Sequence, residues 1–431
     1  MKVLIYGLGT LGGGFSAASY FLNKGHRVTI TDLRGEKELG DPLRLLKERG
    51  AKAVCGKHDQ QDFIEADLVV KNPAVPIDSP FLSLAKKVTT DITYLMQSPL
   101  TKEIKTIAVT GTKGKTTTVA TAAHILNKAN HETLQFGNMG ISGFAILEEL
   151  EKRYVDEKPM PEYLICELSS WQIRDLYYTL DKEQLLSFKI VLLTSLFADH
   201  LNTYADFNSY KEDKWLLLRG KKGRLIISEN DLEEFENLKN VRTIESFSGA
   251  LEQTMRNRPT WAICKSLGLG NKQILSALNT FRGVPHRQEQ LGVHNNIVFI
   301  NDSSATIPEA VNFTLLSIPW PFHLVCGGAD KNLKVDAMIT PLKNALHVHL
   351  LDGTFTQNKL LPLLKKENIP FSGPFDSMES AFASAYQKAT ESLDVHKTVA
   401  VVLSPGAASF GIFNHEFDRG EQFRELYNKL N

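Results

Sequence analysis

Short apolar runs, each leading into a glycine-rich or polar loop and then an amphipathic stretch, recur along the whole chain. They are KVLIY, RVTIT and DLVVK; then IKTIAVT, YLICE, KIVLLTS and RLIIS; then IVFIND, FHLVCG, HVHLLD and TVAVVLS. Runs this short and this apolar read as strands covered on both faces, and their alternation with helical patterns implies parallel sheets flanked by helices. A chain of 431 residues is too long for one hydrophobic core. The runs fall into three groups, so the expected fold is α/β with three domains: residues 1–97, 98–283 and 284–431. One break falls at Gln97-Ser98-Pro99 and the other at Gly283-Val284-Pro285, where proline ends a helical pattern.

Charge excludes some partners. Lys+Arg and Asp+Glu balance at 49 each, which argues against a nucleic-acid binder or a membrane-surface protein, so anionic ligands must be met by local sites. There is no 18-residue apolar run, and residue 2 already starts a strand with no signal-peptide pattern, which predicts a cytoplasmic protein without membrane insertion. Cys55, Cys166, Cys264 and Cys326 lack metal-ligand or disulfide spacing and are expected as free, buried thiols.

Two glycine loops follow strands. The first, Gly7-Leu8-Gly9-Thr10-Leu11-Gly12, matches the dinucleotide fingerprint, with a helix expected over Phe15 to Asn23 and Asp32 standing 20 residues beyond Gly12. Backbone N–H groups at such a helix start approach a diphosphate. NAD(P) and any other diphosphate-bearing nucleotide satisfy that logic, so a dehydrogenase stays open at this point.

The second loop is more specific. Gly111-Thr112-Lys113-Gly114-Lys115-Thr116-Thr117 joins IKTIAVT to a helix, and it can cradle a triphosphate, with Lys115 reaching the outer phosphates and Thr116 ligating Mg²⁺. Val109 stands where the generic P-loop has its first glycine, so this is a variant form. Glu167 ends the strand YLICE, where a carboxylate can hold Mg²⁺ against the phosphates. After KIVLLTS come Asp199 and His200, and Tyr210 and Lys214 share a helix face beyond them, which together form a candidate second metal site.

In order along the chain, GTKGKTT, CELSS, ADHLNTY and VPHR resemble the ATP-dependent Mur ligases of peptidoglycan synthesis, and the likeness covers essentially its whole length. NDSSAT at Asn301 to Thr306, SPGAASF at Ser404 to Phe410 and the following FDRGEQF are most similar to the D-glutamate-adding branch. The resemblance implies an N-terminal Rossmann-like UDP-binding domain, a central P-loop ATPase-type domain and a C-terminal Rossmann-like domain that binds the amino acid. It also implies a reaction: ATP phosphorylates the carboxylate of UDP-N-acetylmuramoyl-L-alanine, and the amine of D-glutamate attacks the acyl phosphate. A tetrahedral intermediate then collapses to the amide, with ADP and phosphate released.

Residue by residue, the resemblance places Lys115 on the β/γ-phosphates, Thr116 and Glu167 on one Mg²⁺, and His200 on a second. Lys214 would be a carbamylated metal ligand. Gly9, Thr10, Leu11 and Gly12 would meet the uridine diphosphate, Asp32 and Arg34 the uracil end, and Asn138 the UDP-sugar and metal region. Asn257 and His286 would lie at the adenine, and Arg287 and Asp302 at the phosphates and ribose. Thr306, Lys331, Ser409 and Phe410 would form the D-glutamate pocket. A monomer is expected.

The chain departs from the family pattern in two places. Asn202 and Thr203 replace an acid and an arginine after His200, with Lys214 one residue nearer; Ser304 and Ile307 replace a lysine and an asparagine near the incoming amino acid. Alternatives are a Mur-type ligase of other amino-acid specificity, an NAD(P)-dependent oxidoreductase with an appended nucleotide domain, and a non-catalytic nucleotide-binding scaffold.

Overall fold

The computed structural model describes residues 1–9, 12–180, 188–196, 204, 206–218, 224–227, 258–330, 334–409 and 411–430. The chain divides into two compact units, Met1–Phe281 and Arg282–Asn431. Each of the apolar runs, from KVLIY to TVAVVLS, forms a strand.

The first unit carries two sheets. One contains β1 (Lys2–Tyr6), β2 (Arg27–Asp32), β3 (Lys52–Cys55), β4 (Leu68–Lys71) and β5 (Val88–Thr89), all parallel, in the order β3-β2-β1-β4-β5. The other contains β6 (Lys105–Thr110), β7 (Thr133–Gly137), β8 (Tyr163–Glu167), β9 (Ile190–Leu193) and β10 (Arg224–Ile227), also parallel, in the order β10-β9-β6-β8-β7. In both, the first strand is central and its neighbours lie on either side, which opens a crevice beyond its carboxyl end. Each glycine loop leaves such a strand.

These two sheets share one apolar cluster, running from Val3 and Ile5 through Phe144 to Leu193 and Ile227. The helix Gly13–Asn23 meets the helix Gly143–Val155 through Tyr20–Glu151 and Lys24–Glu151, and Asp91 accepts hydrogen bonds from Ser142 and the Gly143 amide. A Cβ at Gly143 would stand 2.4 Å from the Asp91 carbonyl oxygen, so only glycine permits that approach. The expected boundary at residue 97 therefore falls within one packed unit.

The second unit has a six-stranded sheet of β11 (Glu289–His294), β12 (Ile297–Asn301), β13 (Phe322–Gly327), β14 (His347–Leu351), β15 (Phe371–Phe375) and β16 (Val399–Leu403), in the order β11-β12-β16-β13-β14-β15. Its first strand runs antiparallel to β12, which departs from the all-parallel expectation. The cause is local: Asn295 and Asn296 both adopt positive φ, 49° and 62°, the geometry of a two-residue hairpin turn. The cysteines are free; Cys166, Cys264 and Cys326 are buried as expected, while Cys55, at the end of the edge strand β3, is only partly so. Among the described residues no helix is long and apolar enough to cross a membrane.

Candidate functional site

The second glycine loop follows β6 and opens the helix Lys115–Lys128. Gly114 caps that helix with φ +83°, and Gly111 has φ +140° with Thr194 Oγ1 where a Cβ would stand, so both positions require glycine. The loop is held from β9's carboxyl end: the Thr112 amide donates to the Ser195 carbonyl (2.8 Å), and the Lys113 amide to Ser195 Oγ (3.0 Å). Thr194 Oγ1 donates to the Lys113 carbonyl. Sequence reasoning treated Thr194 and Ser195 only as the end of a strand; the rule that ligands lie beyond strand carboxyl ends was the signal that could have singled them out. Lys115 Nζ donates to the carbonyls of Gly111 (2.8 Å) and Thr112 (3.1 Å), so its ammonium sits over the loop it belongs to.

Glu167 ends β8 beside this loop, with 1% of its surface exposed. Asn138 Nδ2 donates to Oε1 at 3.1 Å, and the Asn138 amide donates to the Glu167 carbonyl at 2.9 Å. The other carboxylate oxygen, Oε2, is buried without a hydrogen-bond partner. An orphaned buried carboxylate oxygen is costly, and a cation beside it removes that cost. Thr116, also buried, is on the first turn of the P-loop helix.

Lys214 is 1% exposed on the helix Phe207–Leu218, its Nζ 3.2 Å from the Gly111 carbonyl and 4.5 Å from the centre of the Tyr210 ring. The shared face anticipated for Tyr210 and Lys214 thus meets the P-loop. Asp213, beside Lys214, pairs with Arg174 (2.7 Å) and accepts from Tyr204 (2.6 Å). Among the described residues no three His, Cys, Asp or Glu side chains are grouped to hold a metal unaided.

The first glycine loop lines a cleft of about 450 Å³, bounded by Gly9, Asp32, Arg34, Asn72, Asn138 and Trp171 among others. Residues from both sheets of the first unit meet there, so Asn138 joins the P-loop side of the unit to the fingerprint. Asp32 is buried and already engaged: Oδ2 accepts from the Leu8 amide (2.9 Å), and Arg34 binds both oxygens. Burial raises its pKa, but the bonds from Arg34 and Leu8 prevail and hold the carboxylate below its ordinary range. Arg34 also donates to the Gly9 carbonyl, so the pair braces the loop. The close helix packing ascribed to the fingerprint's third glycine falls to Gly14, whose Cβ would stand 2.3 Å from the Leu8 carbonyl oxygen; Gly12 is open and serves as a left-handed helix cap.

In the second unit the loops after β12, β13 and β16 gather at the carboxyl ends. Asp302 is buried and accepts from Thr314 Oγ1 (2.6 Å), Ser404 Oγ (3.0 Å) and the Gln288 amide (3.1 Å). Burial outweighs those bonds and pushes its pKa up to about 6. His286 has φ +61° and takes a hydrogen bond from Asn301 Nδ2 at Nδ1 (2.9 Å); burial lowers its pKa. Arg287 follows it, partly exposed; Thr306 is partly exposed and Ser409 is buried. Sequence reasoning passed over Arg419, whose buried guanidinium donates to Ser303 Oγ and to the carbonyls of Ser303 and Ala407, tying the β12 and β16 loops together. Its place in FDRGEQF was the available signal. Thr10, Leu11, His200, Asn257, Lys331 and Phe410 lie outside the described residues.

Known proteins share this plan. The Mur ligase middle domain matches residues 109–260, and the MurD-like N-terminal domain of Mur ligases matches residues 1–93. The UDP-N-acetylmuramoylalanine–D-glutamate ligase of Borreliella afzelii is 30% identical, over 100% of this chain and 98% of its own. Its counterpart from a Roseiflexus species is 30% identical over 99% and 98%. In fold, the UDP-N-acetylmuramate-alanine ligase of Thermotoga maritima aligns over 100% of both chains with a TM-score of 0.61 at 18% identity. With identity of this level sustained along the full length of both chains, and the family's two domain patterns falling on the two glycine-loop sheets, the chain belongs to the Mur ligase family.

Proposed function

We propose that this chain is the ATP-dependent ligase that joins D-glutamate to UDP-N-acetylmuramoyl-L-alanine in peptidoglycan precursor synthesis. The observation that carries the reading is the union, within one unit, of a diphosphate-type cleft and a P-loop through the Asn138–Glu167 pair. A dehydrogenase has no use for that second loop. The relatives' shared name supplies the substrates.

Carboxylate and phosphate repel each other, so their reaction needs concentrated positive charge. Lys115, with Gly111 to Thr117 around the triphosphate, would leave the Gly111 and Thr112 carbonyls to neutralise the outer phosphates. Mg²⁺ would add charge neutralisation at the transferring phosphoryl group; Thr116 and the orphaned Glu167 Oε2 suit one such ion. His200 and a carbamylated Lys214 would hold a second. The carbamate would turn a buried ammonium into an anionic ligand beside the P-loop.

In the N-terminal cleft, Gly9 to Gly12 would present backbone amides to the uridine diphosphate. Asp32 and Arg34 would brace that loop and border the uracil end, and Asn138 would reach the sugar. From the C-terminal unit, Asn301 holds His286 in place, which with Asn257 would serve the adenine. Arg287 and Asp302 would serve the phosphates and ribose, while Thr306, Lys331, Ser409 and Phe410 would receive D-glutamate. The two sheets of the first unit, divided near residue 97, and the C-terminal unit from residue 284 would share this labour as three domains, and the working form would be a cytoplasmic monomer.

Phosphate release with UDP-N-acetylmuramoyl-L-alanine, ATP and a panel of D- and L-amino acids tests the reading. D-Glutamate alone should produce release above background. A response to a different amino acid would reassign the specificity, and no response to any would overturn the ligase reading.

A further inference from the structure

One ion pair in the first unit is buried on both sides. Lys71 ends β4 in the N-terminal sheet, and its Nζ lies 2.7 Å from Asp175 Oδ2 on the helix Ser170–Thr179 of the P-loop sheet; the side chains are 1% and 3% exposed. Two charges withdrawn this far from water gain little stability over a well-packed apolar pair, so their presence asks for another reason. Their surroundings supply one.

Lys71 Nζ also donates to the Asn72 carbonyl at 3.1 Å. That carbonyl closes a turn by accepting from the Val75 amide, while Asn72 Oδ1 accepts from the Ala74 amide. The turn presses on the glycine loop: a Cβ at Gly9 would stand 2.5 Å from Asn72 Nδ2, and one at Gly7 would stand 3.2 Å from Val75 Cγ2. Asn72 to Pro76 line the nucleotide cleft. At the other end, the helix that carries Asp175 starts three residues after Glu167, is capped by Ser169, and is tied through Arg174 to Asp213 beside Lys214. The pair thus joins the wall of one site to the helix that borders the other.

We infer that Lys71 and Asp175 are positioning residues for the uridine-nucleotide substrate, pinning the Asn72–Pro76 turn against the glycine loop and anchoring it to the helix behind Glu167. Neither touches reacting atoms. The inference rests on the ligase reading, because that reading assigns the cleft its ligand. A pinned turn presents a formed cleft; a released one must be ordered by the ligand at the expense of affinity.

Single removal of either charge strands the other in the core, so the informative variant is K71M/D175L, which replaces the pair by apolar side chains of similar size. Calorimetric titration with UDP-N-acetylmuramoyl-L-alanine should show affinity weakened by roughly tenfold or more, the ratio matching one lost hydrogen bond from a charged donor. Steady-state kinetics should show KM for that substrate raised, with KM for ATP unchanged, and K71R should recover most of the affinity. Wild-type affinity in K71M/D175L would overturn the inference alone, as would a parallel rise of both KM values. Wild-type protein that binds no UDP-sugar would overturn the ligase reading, and this inference with it.

Discussion

Acid should loosen the C-terminal unit, and a buried histidine cluster sets the amount. His323 on β13 stands in register with His347 on β14, and His349 follows on the same face; ring centres are 5.7 Å apart for His323–His349 and 4.9 Å for His347–His349. His323 Nδ1 and His349 Nε2 are buried without hydrogen-bond partners, while Ser392 and Ser384 engage the other nitrogens. Burial first, then the neighbouring imidazoles and Lys388, lowers His323 to about 4 and His349 to about 3; Glu391 opposes the shift at His323, and His396 adds to it. The unfolded chain takes up these protons near the ordinary value of 6.5, so acid favours unfolding. The stability is present above that value and is lost as pH falls from it toward 3. Between pH 7 and pH 5 the two residues should together cost ~4 kcal/mol. Asp302, raised from 3.8 to about 6, titrates the opposite way. It should return ~1 kcal/mol, leaving a net loss that is a sizeable share of a typical domain's ~5–15 kcal/mol. The full chain should be compared with H323Q/H349N, in which each amide nitrogen replaces the imidazole nitrogen that meets serine. Hydrogen exchange of peptides spanning 322–327 and 347–351, corrected for intrinsic rates, reads this unit alone. Wild-type protection should fall roughly 500-fold more than the variant's between the two pH values, the ratio equivalent to the histidine contribution. Equal falls in both proteins would refute the reasoning.

Three further outcomes follow from the site. Lys115→Ala should cut phosphate release by roughly a hundredfold or more, since it removes the cation over the P-loop; near wild-type turnover would remove the P-loop assignment. Glu167→Gln should raise the Mg²⁺ concentration for half-maximal activity by about tenfold through loss of an anionic oxygen, and an unchanged Mg²⁺ dependence would place the ion elsewhere. Gly14→Ala should cost ~2 kcal/mol in urea denaturation, because its methyl would meet the Leu8 carbonyl; an unshifted midpoint would mean that the helix moves to accept it.

The chain's sequence by itself determined the interior strands and both glycine loops. KVLIY, IKTIAVT and TVAVVLS lie between neighbours in their sheets and are largely buried on both faces, so burial is written into each as a mostly apolar run. The strands it left unannounced, β3, β5, β7, β11 and β15, all stand at sheet edges. These five have one neighbour and mostly less burial, so they carry no such run, whereas β10, also at an edge, is buried from Leu225 to Ile227 and does. The candidate site divides in the same way. Lys115, Thr116 and Glu167 were legible because loop and strand-end chemistry is local in sequence. Only the tertiary structure brought Lys71 to Asp175 across 104 positions, set Thr194 and Ser195 against the P-loop, and placed His323 beside His349. Such partnerships depend on which strands and helices pack side by side, and a buried charge or imidazole acquires its chemistry from whatever faces it there.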